Sequence, residues 1–143
     1  MLSKAIRIAA QAFEGKYDKG GNPYILHCLY VMNAVKDYGE EYMIVAVLHD
    51  LLEDTDWTAK MLLDEGFTQL QIQQILILTH HSSNTYEEYI RSIAYFDIAC
   101  VVKMADLCHN SDITRLKGLT EKDFKRLEKY AKAYDYLKNI KER

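Results

Sequence analysis

Apolar residues recur along nearly the whole chain at the three- and four-residue spacing of an amphipathic helix. Ile6, Ala9, Ala10 and Phe13 share one face and predict a first helix over Leu2–Phe13. The stretch 14–22 carries Gly15, Gly20 and Gly21 and is the most turn-rich part of the chain. Asn22 before Pro23 reads as an N-cap and first helical position, so a second helix is expected from Pro23 to about Tyr38. Gly39 ends it, and a third helix is expected from Glu40 to Leu52. Thr58 is placed to cap a short helix that Gly66 stops, and Thr68 to cap another that runs through Leu78. Thr85-x-x-Glu88 and Thr120-x-x-Asp123 have capping-box spacing and open helices over Tyr86–Ala94 and Glu121–Lys141. Asp97 is the expected cap of a helix from Ile98 to about Leu116. Ile98–Val102 alone is apolar enough for a buried strand, but its continuation without a breaker favours helix. The pattern predicts an all-α fold of seven or eight helices and no sheet.

Composition narrows this to one domain over residues 1–143. A chain of 143 residues with 49% hydrophobic and 27% charged positions is neither disordered nor fibrous. At that length a core buries roughly two-thirds of the unfolded surface, so folding needs no disulfide or structural metal. One proline and six glycines are too few turn formers for an all-β chain. A net charge of −3 gives no electrostatic footprint for duplex nucleic acid or an anionic membrane. The longest unbroken apolar run, Tyr42–Leu48, is far short of the roughly 20 residues that span a bilayer. The first residues alternate charge with apolar positions and contain no hydrophobic signal core, so neither export nor membrane insertion is expected. Cys28, Cys100 and Cys108 are an odd set without a Cys-x-x-Cys pair, which suits reduced thiols and a cytoplasmic location.

Two apolar stretches carry charge where a core helix should not. After Val45–Leu48 come His49, Asp50, Glu53 and Asp54. On a continuous helix, His49 with Glu53 and Asp50 with Asp54 are i,i+4 neighbours, so all four project from one helix end. Three carboxylates so close raise at least one pKa unless a cation neutralises them. In the second stretch Asp106 lies within a core-like helix, where a carboxylate must be paired, protonated or metal-bound. Lys103 precedes it by three residues and Asn110 follows by four. His27 sits on the apolar second helix. Taken singly, His27 is a hydrogen-bonded core histidine, Lys103–Asp106 a structural ion pair, and His49-Asp50 a chance dipeptide. Together, one His, a His-Asp pair and a distant Asp make a mixed nitrogen and oxygen donor set suited to Mn, Fe, Co or Zn.

The blocks Asp18-Lys-Gly-Gly-Asn-Pro-Tyr-Ile-Leu-His27, His49-Asp50-Leu-Leu-Glu53-Asp54 and Lys103-Met-Ala-Asp106-Leu-Cys-His-Asn110 resemble HD-domain phosphohydrolases. The likeness is greatest to the hydrolase domains of the RelA/SpoT group and their small stand-alone relatives, which degrade guanosine tetra- and pentaphosphate. It spans roughly residues 5–116. The resemblance implies an all-α HD-domain bundle in which His27, His49, Asp50 and Asp106 hold one metal ion, most often manganese. It implies that Glu53 and Asp54 position and activate the attacking water, and that Asn110 contacts the sugar of a nucleotide. Tyr24 matches an aromatic that supports the site. Lys19 matches a substrate contact, and Lys103 is either a phosphate contact or an internal counter-ion. The implied reaction is hydrolysis of a guanosine 3′-diphosphate, with nucleotide phosphomonoester hydrolysis, or nucleotide binding with little catalysis, as alternatives.

The chain departs from the tetraphosphate hydrolases at three positions where those enzymes usually carry cations: Asp18, Leu107 and Asp112. Arg115 and Lys117 are candidates to compensate. His80-His81 follows a helix end, where it reads as a cap or loop element, or as a substrate contact. Adjacent histidines on a helix point about 100° apart and seldom share an ion. The stripes Tyr86/Tyr89/Ile90 and Tyr130/Tyr134/Leu137 read as half-buried packing, and the Lys-rich segment 117–143 as a solvated face.

Overall fold

In the computed structural model, which describes residues 1–142, four threonines open helices where their spacing predicts. Thr58 accepts from the Met61 amide, and Thr68, Thr85 and Thr120 form reciprocal capping boxes with Gln71, Glu88 and Asp123. Each satisfies amides that no intrahelical carbonyl reaches. Among the described residues the architecture is all-α: α1 (Leu2–Ala12), α2 (Ile25–Ala34), α3 (Glu40–Val47), α4 (Leu51–Asp54), α5 (Ala59–Asp64), α6 (Gln69–Ile77), α7 (Tyr86–Ile93), α8 (Asp97–Asn110) and α9 (Glu121–Lys141). Two 3₁₀ turns, Lys36–Tyr38 and Ile113–Arg115, follow α2 and α8. The extended pairing is limited to a single bridge between Tyr17 and Pro23. No helix among the described residues is long and apolar enough to cross a membrane.

Helix α3 is the centre of the bundle. Ile44, Val45, Ala46, Val47 and Leu48 are all buried, as expected of a helix covered on every side. It packs against α1, α2, α6 and α8, while α8 in turn meets α2, α6, α7 and α9. The two stripes read as packing behave so: Tyr89, Ile90 and Leu137 are buried and Tyr86, Tyr130 and Tyr134 half-buried. The three thiols are free, with Cys28 and Cys100 buried and Cys108 exposed.

The second helix ends at Ala34 rather than Tyr38 and α8 at Asn110 rather than Leu116, each followed by a 3₁₀ turn, and three other boundaries differ for a local reason. The third helix does not run unbroken from Glu40 to Leu52 but stops at Val47 and restarts at Leu51, so that one of the expected helices is divided in two. At the break the His49 imidazole Nδ1–H donates to the Ala46 carbonyl at 2.6 Å. The backbone there tightens to i,i−3 bonds, His49 to Ala46 and Leu51 to Leu48. Asn22 does not cap α2: its amide donates to the Asp18 carboxylate and its carbonyl accepts from the Asp18 amide, closing a turn that delays the helix to Ile25. Asp97 is the first residue of α8 rather than its cap, and Gln74 Oε1 from α6 takes the Ala99 amide instead, at 2.9 Å.

Candidate metal centre and adjoining cavity

The break between α3 and α4 turns both His49 and Asp50 toward α8, where Asp106 meets them, while α2 supplies His27. One ligand atom from each of these four residues lies within 4.8 Å of the others. His27 Nε2 is 2.8 Å and His49 Nε2 is 3.2 Å from Asp106 Oδ1. The same two nitrogens are 3.7 and 3.0 Å from Asp50 Oδ2. Four donors each about 2.1 Å from one ion stand roughly 3 to 4 Å apart, so two imidazoles and two carboxylates fit a divalent cation of the borderline class. Among the described residues this is the cluster with such spacing, and His80-His81 is not part of it.

Every donor is held from behind. Asp106 is 3% exposed, accepts from Lys103 Nζ at 2.9 Å and from Asn110 Nδ2 at 3.0 Å. Burial opposes its charge, but Lys103 and the two histidines outweigh burial and hold the carboxyl well below its ordinary range. Lys103, half-buried and lying over the Tyr89 ring, is raised by Asp106 against the same penalty. Tyr24 donates its hydroxyl to Asp50 Oδ2 at 2.5 Å. The His49 Nδ1–H bond to Ala46 leaves Nε2 as the nitrogen that faces the carboxylates. Burial opposes charge on His49, yet Asp50 and Asp106 together raise its pKa well above the ordinary value.

Glu53 and Asp54 follow the break on α4, whose N-cap is Asp50 and whose Asp54 amide donates to the Asp50 carbonyl at 3.0 Å. Glu53 Oε1 accepts the His80 amide at 2.7 Å, which ties α4 to the turn after α6. Asp54 is exposed, yet desolvation by the surrounding chain, then the charges of Asp50 and Glu53, push its carboxyl up to about 6. The crowding of carboxylates read from the sequence thus falls on Asp54. His80 stacks on Tyr89 with ring centroids 4.6 Å apart and approaches the Asn84 carbonyl at 3.0 Å, a loop role. His81 lines an apolar groove beside α6.

A cavity of about 290 Å³ includes Tyr24 and Asn110 in its lining and extends toward Lys19, Arg115, Arg126 and Tyr130. Lys19 is part of this lining. Arg115 pairs with Asp18 at 3.0 Å and reaches Asn110 Oδ1 at 3.3 Å and the His109 carbonyl at 2.8 Å. The acid at position 18 is thus neutralised locally. Leu107 is buried, and Asp112 accepts from the Thr114 amide and hydroxyl. Lys117 lies against Gly21. Burial, then Arg126 and Lys122, lower the Lys19 pKa, with Asp123 opposing, so cations crowd one wall.

Arg126, within the segment read as a solvated face, lines the cavity and is held by buried Asp123. Arg115, a candidate from the sequence to compensate for missing cations, is placed by nothing local, and His109 is not singled out by the sequence reading. His109 had one available signal, its position one turn after Asp106 on α8. Its Nδ1 is 2.8 Å from His27 Nδ1, and its ring stacks on Tyr30 with centroids 3.8 Å apart. Burial, then Arg115 and His27, push the His109 imidazole down to about 4.

No protein-family model matches the chain. It is 28% identical over 122 residues to a probable GTP pyrophosphokinase of Mycobacterium leprae, covering 77% of this chain and 15% of that protein. It is 31% identical over 122 residues to a probable guanosine-3′,5′-bis(diphosphate) 3′-pyrophosphohydrolase of Synechocystis sp., covering 77% and 16%. A third relative, the guanosine-3′,5′-bis(diphosphate) 3′-pyrophosphohydrolase of Borreliella burgdorferi, is 26% identical, with coverage of 76% and 18%. The chain spans less than a fifth of the length of these relatives. Among solved structures, a metazoan ortholog of SpoT that hydrolyzes ppGpp has the same fold. Its TM-score is 0.79 at 22% identity, over 95% of this chain and 84% of that one.

Proposed function

The chain is a sequence relative of the RelA/SpoT proteins, and from that relation we propose that it is a metal-dependent phosphohydrolase of guanosine 3′,5′-bis(diphosphate), releasing the 3′ pyrophosphate. The observation that carries the reading is the largely buried donor set of His27, His49, Asp50 and Asp106 beside an acid whose pKa lies near 6, next to a cavity that Tyr24 and Asn110 line together with Lys19, Arg115, Arg126 and the acids Asp18, Asp112 and Asp123. These four residues would hold the ion, manganese in this reading, in a single catalytic domain over residues 1–143. A divalent ion there supplies Lewis-acid polarisation of a phosphoryl oxygen and makes water acidic enough to lose a proton near neutral pH.

The chain's own residues do the rest. Asp54, ionised above pH 6 yet more basic than an ordinary carboxylate, takes the proton of the attacking water on a carboxylate oxygen. Glu53, anchored by the His80 amide, keeps Asp54 basic by its charge. Water adds to the phosphorus next to the 3′ oxygen, and the P–O bond to that oxygen breaks. Pyrophosphate leaves, and the 3′ oxygen takes up a proton. Lys19 and Arg126 neutralise phosphates in the cavity, Asn110 meets the sugar, and Lys103 acts as counter-ion to Asp106. The three free thiols support a reducing, cytoplasmic location.

The test is turnover of guanosine 3′,5′-bis(diphosphate) with Mn²⁺, scoring the released product. Pyrophosphate is the expected result. Orthophosphate from a nucleoside monophosphate instead would keep the centre and replace the substrate. Tight nucleotide binding without any turnover would overturn the enzymatic reading, for which the Glu53–Asp54 pair has no other evident use.

Gly20 offers a second check. A Cβ at that position would overlap the Arg115 carbonyl oxygen, so the loop carrying Lys19 packs directly on the turn after α8. Gly20→Ala is expected to lower kcat/KM by about 10- to 100-fold through displacement of Lys19, with Mn²⁺ affinity unchanged. Steady-state kinetics alongside a metal titration checks it.

A further inference from the structure

We infer that His109 is a positioning residue for the metal centre: its Nδ1 accepts the His27 Nδ1–H and so fixes His27 in the tautomer whose Nε2 lone pair is free to ligate. The inference rests on the proposed metal centre and goes beyond its four donors. His27 has its two ring nitrogens in different company. Nε2 faces Asp106 Oδ1 at 2.8 Å, inside the donor cluster, while Nδ1 faces His109 Nδ1 at 2.8 Å, outside it. A neutral imidazole carries one proton, and ligation by Nε2 requires that proton to be on Nδ1. Between His27 and His109 only one nitrogen can then donate, so His109 must offer a lone pair at Nδ1 and carry its own proton on Nε2.

The geometry holds His109 to that task. The two imidazole planes lie 8° apart, and Tyr30 covers His109 with an interplanar angle of 11°. The Arg115 guanidinium fixes the His109 carbonyl at 2.8 Å, where the backbone turns out of α8. His49 reaches the same state by a different route, with a backbone carbonyl as acceptor for its Nδ1–H. The two ligand histidines are thus oriented by unlike partners, a carbonyl for one and a second imidazole for the other. Outer partners of this kind set ring orientation and basicity, and their loss costs about 10- to 100-fold in metal affinity.

The experiment compares Mn²⁺ binding by electron paramagnetic resonance for the wild-type chain, His109→Asn and His109→Phe, with thermal unfolding of each in the metal-free state. Asn presents an oxygen acceptor at the same bond separation as Nδ1, whereas Phe keeps the flat ring on Tyr30 and removes the acceptor. The expected result is a Kd within about threefold of wild type for Asn and a 10- to 100-fold weaker Kd for Phe. Equal affinity of Phe and wild type would overturn the positioning role while leaving the centre intact. Equal loss in Asn and Phe would also overturn it, since shape rather than an acceptor would then be what matters. A wild-type chain that binds no Mn²⁺ brings down this inference and the proposed centre together. Nitrogen-15 spectra of the wild-type chain loaded with diamagnetic Zn²⁺ read the tautomer without any variant: a proton on His109 Nε2 is expected, and one on Nδ1 contradicts the inference.

Discussion

Asp106→Asn is expected to abolish Mn²⁺ binding and hydrolysis together and to destabilise the metal-free protein. Asp106 Oδ1 is within hydrogen-bond distance of His27, His49 and Asn110, and Oδ2 takes the half-buried Lys103 ammonium. Removing the charge deletes a ligand, so the affinity loss should exceed the roughly 100-fold that follows loss of an outer partner. It also leaves Lys103, whose side chain is 12% exposed, without its counter-ion, and breaking a pair this deeply placed costs up to about 3–5 kcal/mol. Calorimetric unfolding of the metal-free protein separates that cost from the loss of the ion. The sign with pH follows from Asp106 itself. Its pKa is depressed in the folded chain, so its contribution to stability is present above the ordinary carboxylate pKa and is lost as pH falls through the folded value. The wild type should therefore lose its advantage over Asp106→Asn only in strong acid.

Asp54→Asn is the converse case: the ion should stay and turnover should go. Asp54 is not among the clustered donor atoms, so Mn²⁺ affinity should remain within about threefold, while kcat falls by the roughly 10²- to 10⁴-fold attributed to general base catalysis. Glu53→Gln should have a different signature. It retains an oxygen for the His80 amide but removes one of the charges that hold the Asp54 pKa near 6. The acid limb of the pH–rate profile should therefore move to lower pH. A Glu53→Gln protein whose limb does not move would reassign the base. An Asp54→Asn protein with wild-type kcat would remove Asp54 from the chemistry.

The parts of this site that were legible beforehand are those whose signal is local. Thr58, Thr68, Thr85 and Thr120 announce their helices because a cap and its amide partner are three residues apart. His49, Asp50 and Asp106 stand out because charge inside an apolar run demands a partner, and the structure supplies one for each. What stayed hidden depends on distant chain or on side chains bonding backbone. The break at residues 48–50 arises when the His49 ring takes the Ala46 carbonyl, which no periodicity encodes. Gln74 capping α8 crosses 25 residues, and Arg115 meets Asp18 across 97. Arg126 looked like one more lysine-rich surface position until α9 laid it against the cavity beside Tyr130. Arg115 and Arg126 thus bring positive charge to the cavity from elsewhere in the fold, each paired there with an acid, Asp18 or Asp123.

The central claim is that a single ion at the four-donor centre supports the hydrolysis, and a metal titration of turnover tests it most directly. Chelator-treated protein would be titrated with Mn²⁺ while pyrophosphate release from guanosine 3′,5′-bis(diphosphate) is followed. Activity should be absent without metal and should saturate at one equivalent per chain. Full turnover in the chelated protein would contradict the account.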